Sequence, residues 1–268
     1  MDDLFNLENK IILVTGAGGF LGPWIVEVLA RYGATVVALD ILASEKTAGR
    51  IKEHLLMRNA LELNERIICQ KLDITSEKQV KLIVGKIISK FQKIDGLVNA
   101  AVYSKRTVSE TGFSSYPLDE WKMGLDVSLT GTFILTKTIG KQMLKQKGDR
   151  SIVFFSSIYG YGTPHPEIYP AGTNKNPWYG TAKAGLLYLT THLAREWGPK
   201  GIRVNAIVPG GVANNIPQAN AFVKKYIKLT PLRGMANPSD LQGPLLLLMT
   251  AKYITGETLV VDGGFSIR

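Results

Sequence analysis

The chain has 268 residues, 45% of them hydrophobic and 20% charged, with a formal net charge of +10; this is the composition of an ordinary globular protein with room for a sizeable core. Its one cysteine, Cys69, excludes an internal disulfide, and no apolar run reaches the roughly 18 residues of a membrane span. With the acidic start "MDDLFNLENK" showing no secretory pattern, the expectation is a cytoplasmic protein with no membrane partner, no nucleic-acid partner and no metal.

In chain order, "IILVT" (11–15) reads as a buried strand, and "TGAGGFLGPW" follows it into a helix over 20–32. Glycines at this junction let backbone amides approach a pyrophosphate at the positive end of the helix, and Pro23 fits the first helical turn. "TVVAL" (35–39) is the second strand, closed by Asp40, 24 residues beyond Gly16. An acid there accepts ribose hydroxyls of an adenosine and repels a 2'-phosphate, favouring NAD over NADP; Lys46 and Arg50 soften that preference.

Further along come a helix over 44–63, a strand at 66–72, a helix over 76–91, a strand at 96–100 and a long helix over 117–147. Strands at 151–155 and 203–208 flank a helix over 178–198, and a helix over 238–250 leads to the last strand, 258–262. Alternating strands and helices with near-continuous apolar strands predict one α/β domain, a doubly wound Rossmann fold of about seven parallel strands covered on both faces. Its ligands belong at the carboxyl ends of the strands.

Two segments carry further chemistry. In "NPWYGTAKAG", Tyr179 and Lys183 stand four apart on one helix face, so the ammonium favours the phenolate and makes the phenol a usable acid and base. From Trp197 to Ser239 there are bases but no acid, a local field that attracts an anionic substrate or cofactor, or simply a solvated face. Elsewhere Lys and Arg are interleaved with acids, without the aromatic-basic pattern of single-strand binders.

Taken together, the glycine turn at 15–22, Asp73 in "KLDIT", "NAA" at 99–101, "FFSSIYG", "YGTAK", "IRVNAIVPGG" and "ITGETLVVDGG" occur in the order of a known family. Across nearly its whole length the chain resembles the classical short-chain dehydrogenases/reductases. More narrowly, the "IYPAGT" insertion resembles members associated with bacterial surface-sugar and flagellin-glycosylation pathways.

The resemblance implies roles for particular residues. Ser157 would hydrogen-bond the substrate oxygen, Tyr179 would be the general acid/base, and Lys183 would lower its pKa and hold the nicotinamide ribose. Gly16, Gly19, Phe20, Leu21 and Gly22 would cradle the pyrophosphate, Asp40 and Ile41 the adenosine ribose, and Asp73 and Ile74 the adenine. Asn99, Ala100 and Ala101 would line the cofactor, and Pro209, Gly210, Val212 and Asn214 would flank the nicotinamide. Classical members usually form dimers or tetramers, which makes a homotetramer or homodimer the expectation.

The chain departs from the family pattern in four places. Phe20 stands where the middle glycine is usual, Ser128 where an asparagine completes the catalytic tetrad, and Asn214 where a threonine contacts the carboxamide. Ser157 and Tyr179 lie 22 positions apart, well beyond the family spacing. The extra residues form an inserted loop at about 159–178, rich in Pro, Gly and Asn. It offers His165, Glu167, Tyr169, Asn174 and Lys175 as hydrogen-bonding groups, which suits a polyhydroxylated substrate; packing at a subunit contact is the competing role. A lid over about 212–233 is expected to bring Lys224, Lys225 or Lys228 to the substrate entrance. The expected activity is hydride transfer between NAD and a secondary alcohol or ketone of a sugar-like, anionic substrate. The alternative is a cofactor sensor of the same fold, which only Ser128 favours.

Overall fold

The computed structural model describes residues 3–103, 108–109, 112–213 and 220–267. Seven strands form one parallel sheet: β1 (Ile11–Thr15), β2 (Thr35–Asp40), β3 (Ile67–Lys71), β4 (Gly96–Asn99), β5 (Arg150–Phe155), β6 (Ile202–Pro209) and β7 (Thr258–Val261), in the order β3-β2-β1-β4-β5-β6-β7. Chain direction across the sheet reverses between β1 and β4, and this switch opens the ligand crevice of doubly wound folds.

Successive side chains of each strand serve opposite faces. Ile12, Val14, Val36, Ala38, Val98, Val153 and Phe155 pack with Ile25, Val26, Ile51 and Leu245 from α1 (Gly22–Arg31), α2 (Ser44–Met57) and a C-terminal helix (Gln242–Thr250). Ile11, Leu13, Val37, Leu97, Ile152 and Phe154 face α3 (Glu77–Phe91), α5 (Gly131–Met143) and α6 (Pro177–Trp197) through Val80, Ile83, Leu135, Ile139 and Leu193. Both sheet faces are therefore apolar, which is why the strands read as unbroken hydrophobic runs. No helix among the described residues is long and apolar enough to cross a membrane.

The helix expected over 238–250 begins as a 3-10 turn, Pro238–Leu241, and is α-helical only from Gln242; two others differ more. The helix predicted over 44–63 stops at Met57; Asn59 takes a left-handed φ of 51° and a 3-10 turn at Leu61–Arg66 leads into β3. The helix predicted over 117–147 is instead α4 (Leu118–Leu125), a π turn (Asp126–Thr130) and α5. The wider turn carries Ser128, and π turns recur at functional positions.

Between α1 and α2, Glu27 is buried and ringed by basic side chains: its Oε1 accepts from Arg31 at 2.8 Å, and its Oε2 meets His54 Nε2 at 2.8 Å and accepts from Arg58 Nε at 2.7 Å. Arg58 also lies 4.6 Å over the Trp24 ring. Burial alone would push the Glu27 carboxyl up, but the hydrogen bonds from His54, Arg31 and Arg58 outweigh it and hold the group at about 2.

Candidate active site

At the carboxyl edge of β1 the glycine turn is held close to its neighbours. Gly16 has a φ of +70°, and a Cβ on it would come within 2.9 Å of the Ala100 carbonyl; a Cβ on Gly22 would meet the Ala17 oxygen at 2.3 Å. Gly19 closes the turn by donating to the Gly16 carbonyl at 3.0 Å. Leu21 precedes Gly22, the first residue of α1, whose first-turn amides have no intrahelical acceptor. Phe20 and Ile41 stand unusually open for large apolar side chains, 41% and 60% exposed.

The Asp40 carboxylate is buried and reaches back to this turn, accepting from Gly18 N at 2.8 Å and from Leu42 N at 3.0 Å. Arg50 Nη1 donates to the Gly18 carbonyl at 2.6 Å. Asp73 closes its own turn by accepting from Thr75 N at 2.9 Å and Thr75 Oγ1 at 2.7 Å, with Ile74 buried beside it. These features fit a dinucleotide. A tight glycine turn that a Cβ would disrupt, a free helix N-terminus and an acid at the end of the next strand lie together at the switch point.

Behind Ala100 and Ala101, the Asn99 side chain is engaged in the fold. Its Oδ1 accepts from Thr15 Oγ1 at 2.5 Å and its Nδ2 donates to Thr132 Oγ1 at 2.9 Å. Thr132 in turn donates to the Ser128 carbonyl at 3.2 Å, and the Ser128 hydroxyl, fully buried, accepts from Tyr103 N at 3.1 Å. A chain of hydrogen bonds thus ties β1, β4 and the π turn together.

Ser157 follows β5, Tyr179 and Lys183 lie in the first turns of α6, and the fold brings the three together. The Ser157 hydroxyl stands beside the Tyr179 phenol. Lys183 Nζ donates to the Phe155 carbonyl at 2.6 Å and lies 5.7 Å from the centre of the Tyr179 ring. Burial pushes the phenol up and the Ser157 hydroxyl draws it back, so the downward pull expected of Lys183 works against desolvation. Burial, with Lys175 nearby, lowers the Lys183 ammonium to about 8.

The inserted loop packs over this trio. Tyr169 is buried and donates its hydroxyl to Tyr159 Oη at 2.9 Å, while His165 meets Glu167 Oε1 at 3.0 Å at the exposed rim. The end of the loop, Asn174–Lys175, pairs antiparallel with Val108–Ser109 as a two-residue ribbon. Tyr169 also meets Phe222 of α7 (Ala221–Leu229) at 5.6 Å between ring centres.

On the far side, Pro209 ends β6, Gly210 N donates to the Val261 carbonyl at 3.0 Å, and Val212 bridges Ala236. Helix α7 presses Tyr226 onto this turn: Gly211 N donates to Tyr226 Oη at 2.5 Å, and the ring stacks on Phe265 at 4.5 Å. Lys224, Lys225 and Lys228 lie on the exposed face of α7, opposite the buried Val223 and Tyr226. Asn214 lies outside the described residues, as does the part of the expected lid at 214–219.

Sequence reasoning missed Tyr159 and Tyr226 as site residues. Tyr159 had a usable signal, its place two residues after Ser157; Tyr226 had only the buried position of an amphipathic helix. It also left Lys175 as one polar loop residue among several, although its ammonium stands directly over the Tyr179 ring.

Comparison with known proteins agrees with this geometry. A family model described as "Enoyl-(Acyl carrier protein) reductase" matches residues 19–266. The chain is 31% identical over 264 residues to "Post-translational flagellin modification protein A" of Campylobacter coli, covering 97% of this chain and 100% of that protein. It is 28% identical over 273 residues to the "NAD-dependent glycerol dehydrogenase" of Listeria innocua, covering 100% and 98%. A crystal structure of a short-chain dehydrogenase from Leptospira borgpetersenii with bound NAD+ superposes with a TM-score of 0.83 at 30% identity, covering 99% of this chain and 96% of that one.

Proposed function

Because the chain belongs to the classical short-chain dehydrogenase/reductase family of oxidoreductases, we propose that it transfers a hydride between NAD and a secondary alcohol or ketone of a sugar-like, anionic substrate. One observation carries the chemistry: the Ser157 hydroxyl beside a half-buried Tyr179 phenol, with the Lys183 ammonium 5.7 Å from the centre of its ring. In the oxidising direction Tyr179 takes the hydroxyl proton of the substrate and Ser157 donates a hydrogen bond to the oxygen as it becomes a carbonyl; in reduction both act in reverse. Lys183 holds positive charge beside the phenol as the proton moves, which favours the phenolate. A bound nicotinamide supplies the partner that takes up or gives the hydride.

Asp40 supports NAD, because its carboxylate at the end of β2 repels a 2'-phosphate; the NAD dependence in the name of the Listeria relative points the same way. The polar inserted loop, with Tyr159, Tyr169, His165 and Glu167 over or around the catalytic trio, supports a polyhydroxylated substrate. The named role of the Campylobacter relative in flagellin modification supports a place in surface-sugar chemistry.

The reading is tested by following NADH at 340 nm over sugars, sugar phosphates and nucleotide sugars, with NAD and NADP in parallel. Turnover with NAD that falls by a factor of about 100 or more in Tyr179→Phe is the expected result. Turnover that survives the substitution would overturn the assignment of Tyr179, and a preference for NADP would overturn that of Asp40.

A further inference from the structure

Lys175 has no ordinary structural reason to be where it is. The inserted loop reaches the first turn of α6 through the ribbon at 174–175, and this pairing fixes the Lys175 backbone against Val108. Its side chain runs into the catalytic cleft. Nζ lies 4.5 Å from the centre of the Tyr179 ring and 5.9 Å from that of Tyr159.

Among the described residues the ammonium has aromatic faces beside it but no carboxylate. Other lysines that approach charged groups do so with an acid in reach: Lys81 with Glu77, Lys93 and Lys10 with Asp95. Among the described residues Lys175 forms no ion pair, and Glu167, the acid of the same loop, faces His165. It acts instead on another cation, Lys183, whose ammonium it depresses. Burial lowers Lys175 itself to about 8. Cation–π contacts recover part of that cost, and they leave the N–H donors of the ammonium open to an acceptor brought by a ligand.

Two cations around one phenol, with a single one needed to favour the phenolate, leave Lys175 available to the substrate. Tyr159, hydrogen-bonded to Tyr169, closes the loop side of the same space. An oxygen bonded to the Tyr179 phenol and an anionic oxygen bonded to the Lys175 ammonium, each at about 2.7–2.9 Å, fit one small molecule in which a short stretch of carbon joins them.

We propose that Lys175 is a substrate-recognition residue that selects an anionic group, a carboxylate or a phosphate, standing roughly two to four bonds from the reacting carbon. This rests on the oxidoreductase reading of the cleft and narrows its substrate class to hydroxy acids, keto acids or phosphorylated alcohols. In the oxidising direction the substrate loses its carbinol hydride to NAD+ and its hydroxyl proton to Tyr179, and the anion on Lys175 is unchanged. Positive charge over the Tyr179 face then serves binding in the same site that performs the chemistry.

The test is calorimetric titration of malonate and of inorganic phosphate into the NAD-saturated wild type, Lys175→Met and Lys175→Arg. At least one anion binding the wild type and Lys175→Arg, and at least tenfold more weakly the Lys175→Met protein, is the expected result; the better ligand tells carboxylate from phosphate. Equal affinity in the wild type and Lys175→Met, or no binding to the wild type, overturns the proposal. Kinetics on matched pairs, 3-hydroxybutyrate with 2-butanol and glycerol 1-phosphate with 1,2-propanediol, separate recognition from chemistry. The anionic member should lose at least tenfold more kcat/KM than its neutral partner in Lys175→Met; equal losses would show that Lys175 acts only through Tyr179 and would overturn the proposal. Failure of the oxidoreductase reading has a different signature: no alcohol turns over, while anion binding still depends on Lys175.

Discussion

Glu27, between α1 and α2, and Lys175 with Lys183, beside Tyr179, are charges withdrawn from water in opposite settings. Glu27 has Arg31, His54 and Arg58 within 2.7–2.8 Å, so its charged form is held by hydrogen bonds that more than offset burial. Among the described residues the two lysines have each other, two aromatic rings and one carbonyl, and burial drives both toward their neutral forms. A buried charge with its partners in place belongs to the scaffold. One held without a counter-charge stores unfavourable energy that a ligand of opposite sign can relieve, which is the signature of a site.

The contrast is open to direct attack. The largest effect is expected at the paired cluster: Glu27→Gln strands two guanidinium groups and an imidazole around a neutral amide and should cost about 3 kcal/mol of stability, read from denaturant unfolding. An unchanged midpoint would show that the cluster is ornamental. A related effect follows from pH. The Glu27 carboxyl sits at about 2 in the fold against 4.5 in the open chain, so its contribution is complete above pH 4.5 and is lost as pH falls toward 2. Wild-type stability should therefore fall more steeply than that of Glu27→Gln across this interval, and parallel curves would sink the assignment.

The smallest effect has the opposite sign. Removing an uncompensated cation with Lys175→Met should raise stability by about 1 kcal/mol at neutral pH, seen as a higher unfolding midpoint. Because the folded ammonium lies at about 8 and the unfolded one at 10.5, the wild type carries the full penalty below about pH 8 and sheds it as pH rises toward 10.5. The gap between the two proteins should close over that range; a lower midpoint for Lys175→Met would place Lys175 in the scaffold after all.

Much of this was legible in the chain. "IILVT", "TVVAL" and "SIVFF" announce buried parallel strands because both of their faces must be apolar, and they form β1, β2 and β5 with small changes of boundary. Tyr179 and Lys183 stand four apart because helix geometry puts such a pair on one face, whereas Ser157 is found through the family motif around it. The π turn at Asp126–Thr130 was not legible, since one wider turn inside a long helical pattern leaves no change of period strong enough to read. Nor was the position of Lys175, which depends on pairing with Val108 more than sixty residues away, or the contact between Tyr226 and Gly211. Those are tertiary facts, decided by how a loop and a helix settle on a finished sheet.

The bond from Gly18 to the Asp40 carboxylate has a consequence for redesign. The residue proposed to read an adenosine ribose also clamps the glycine turn, with Arg50 fastened to the carbonyl of the same glycine. Cofactor choice and turn rigidity are therefore not independent settings, and a single replacement of Asp40 perturbs both. A variant meant to accept a 2'-phosphate would have to supply a new acceptor for the Gly18 amide at the same time, so the route between the two cofactors passes through paired rather than single substitutions.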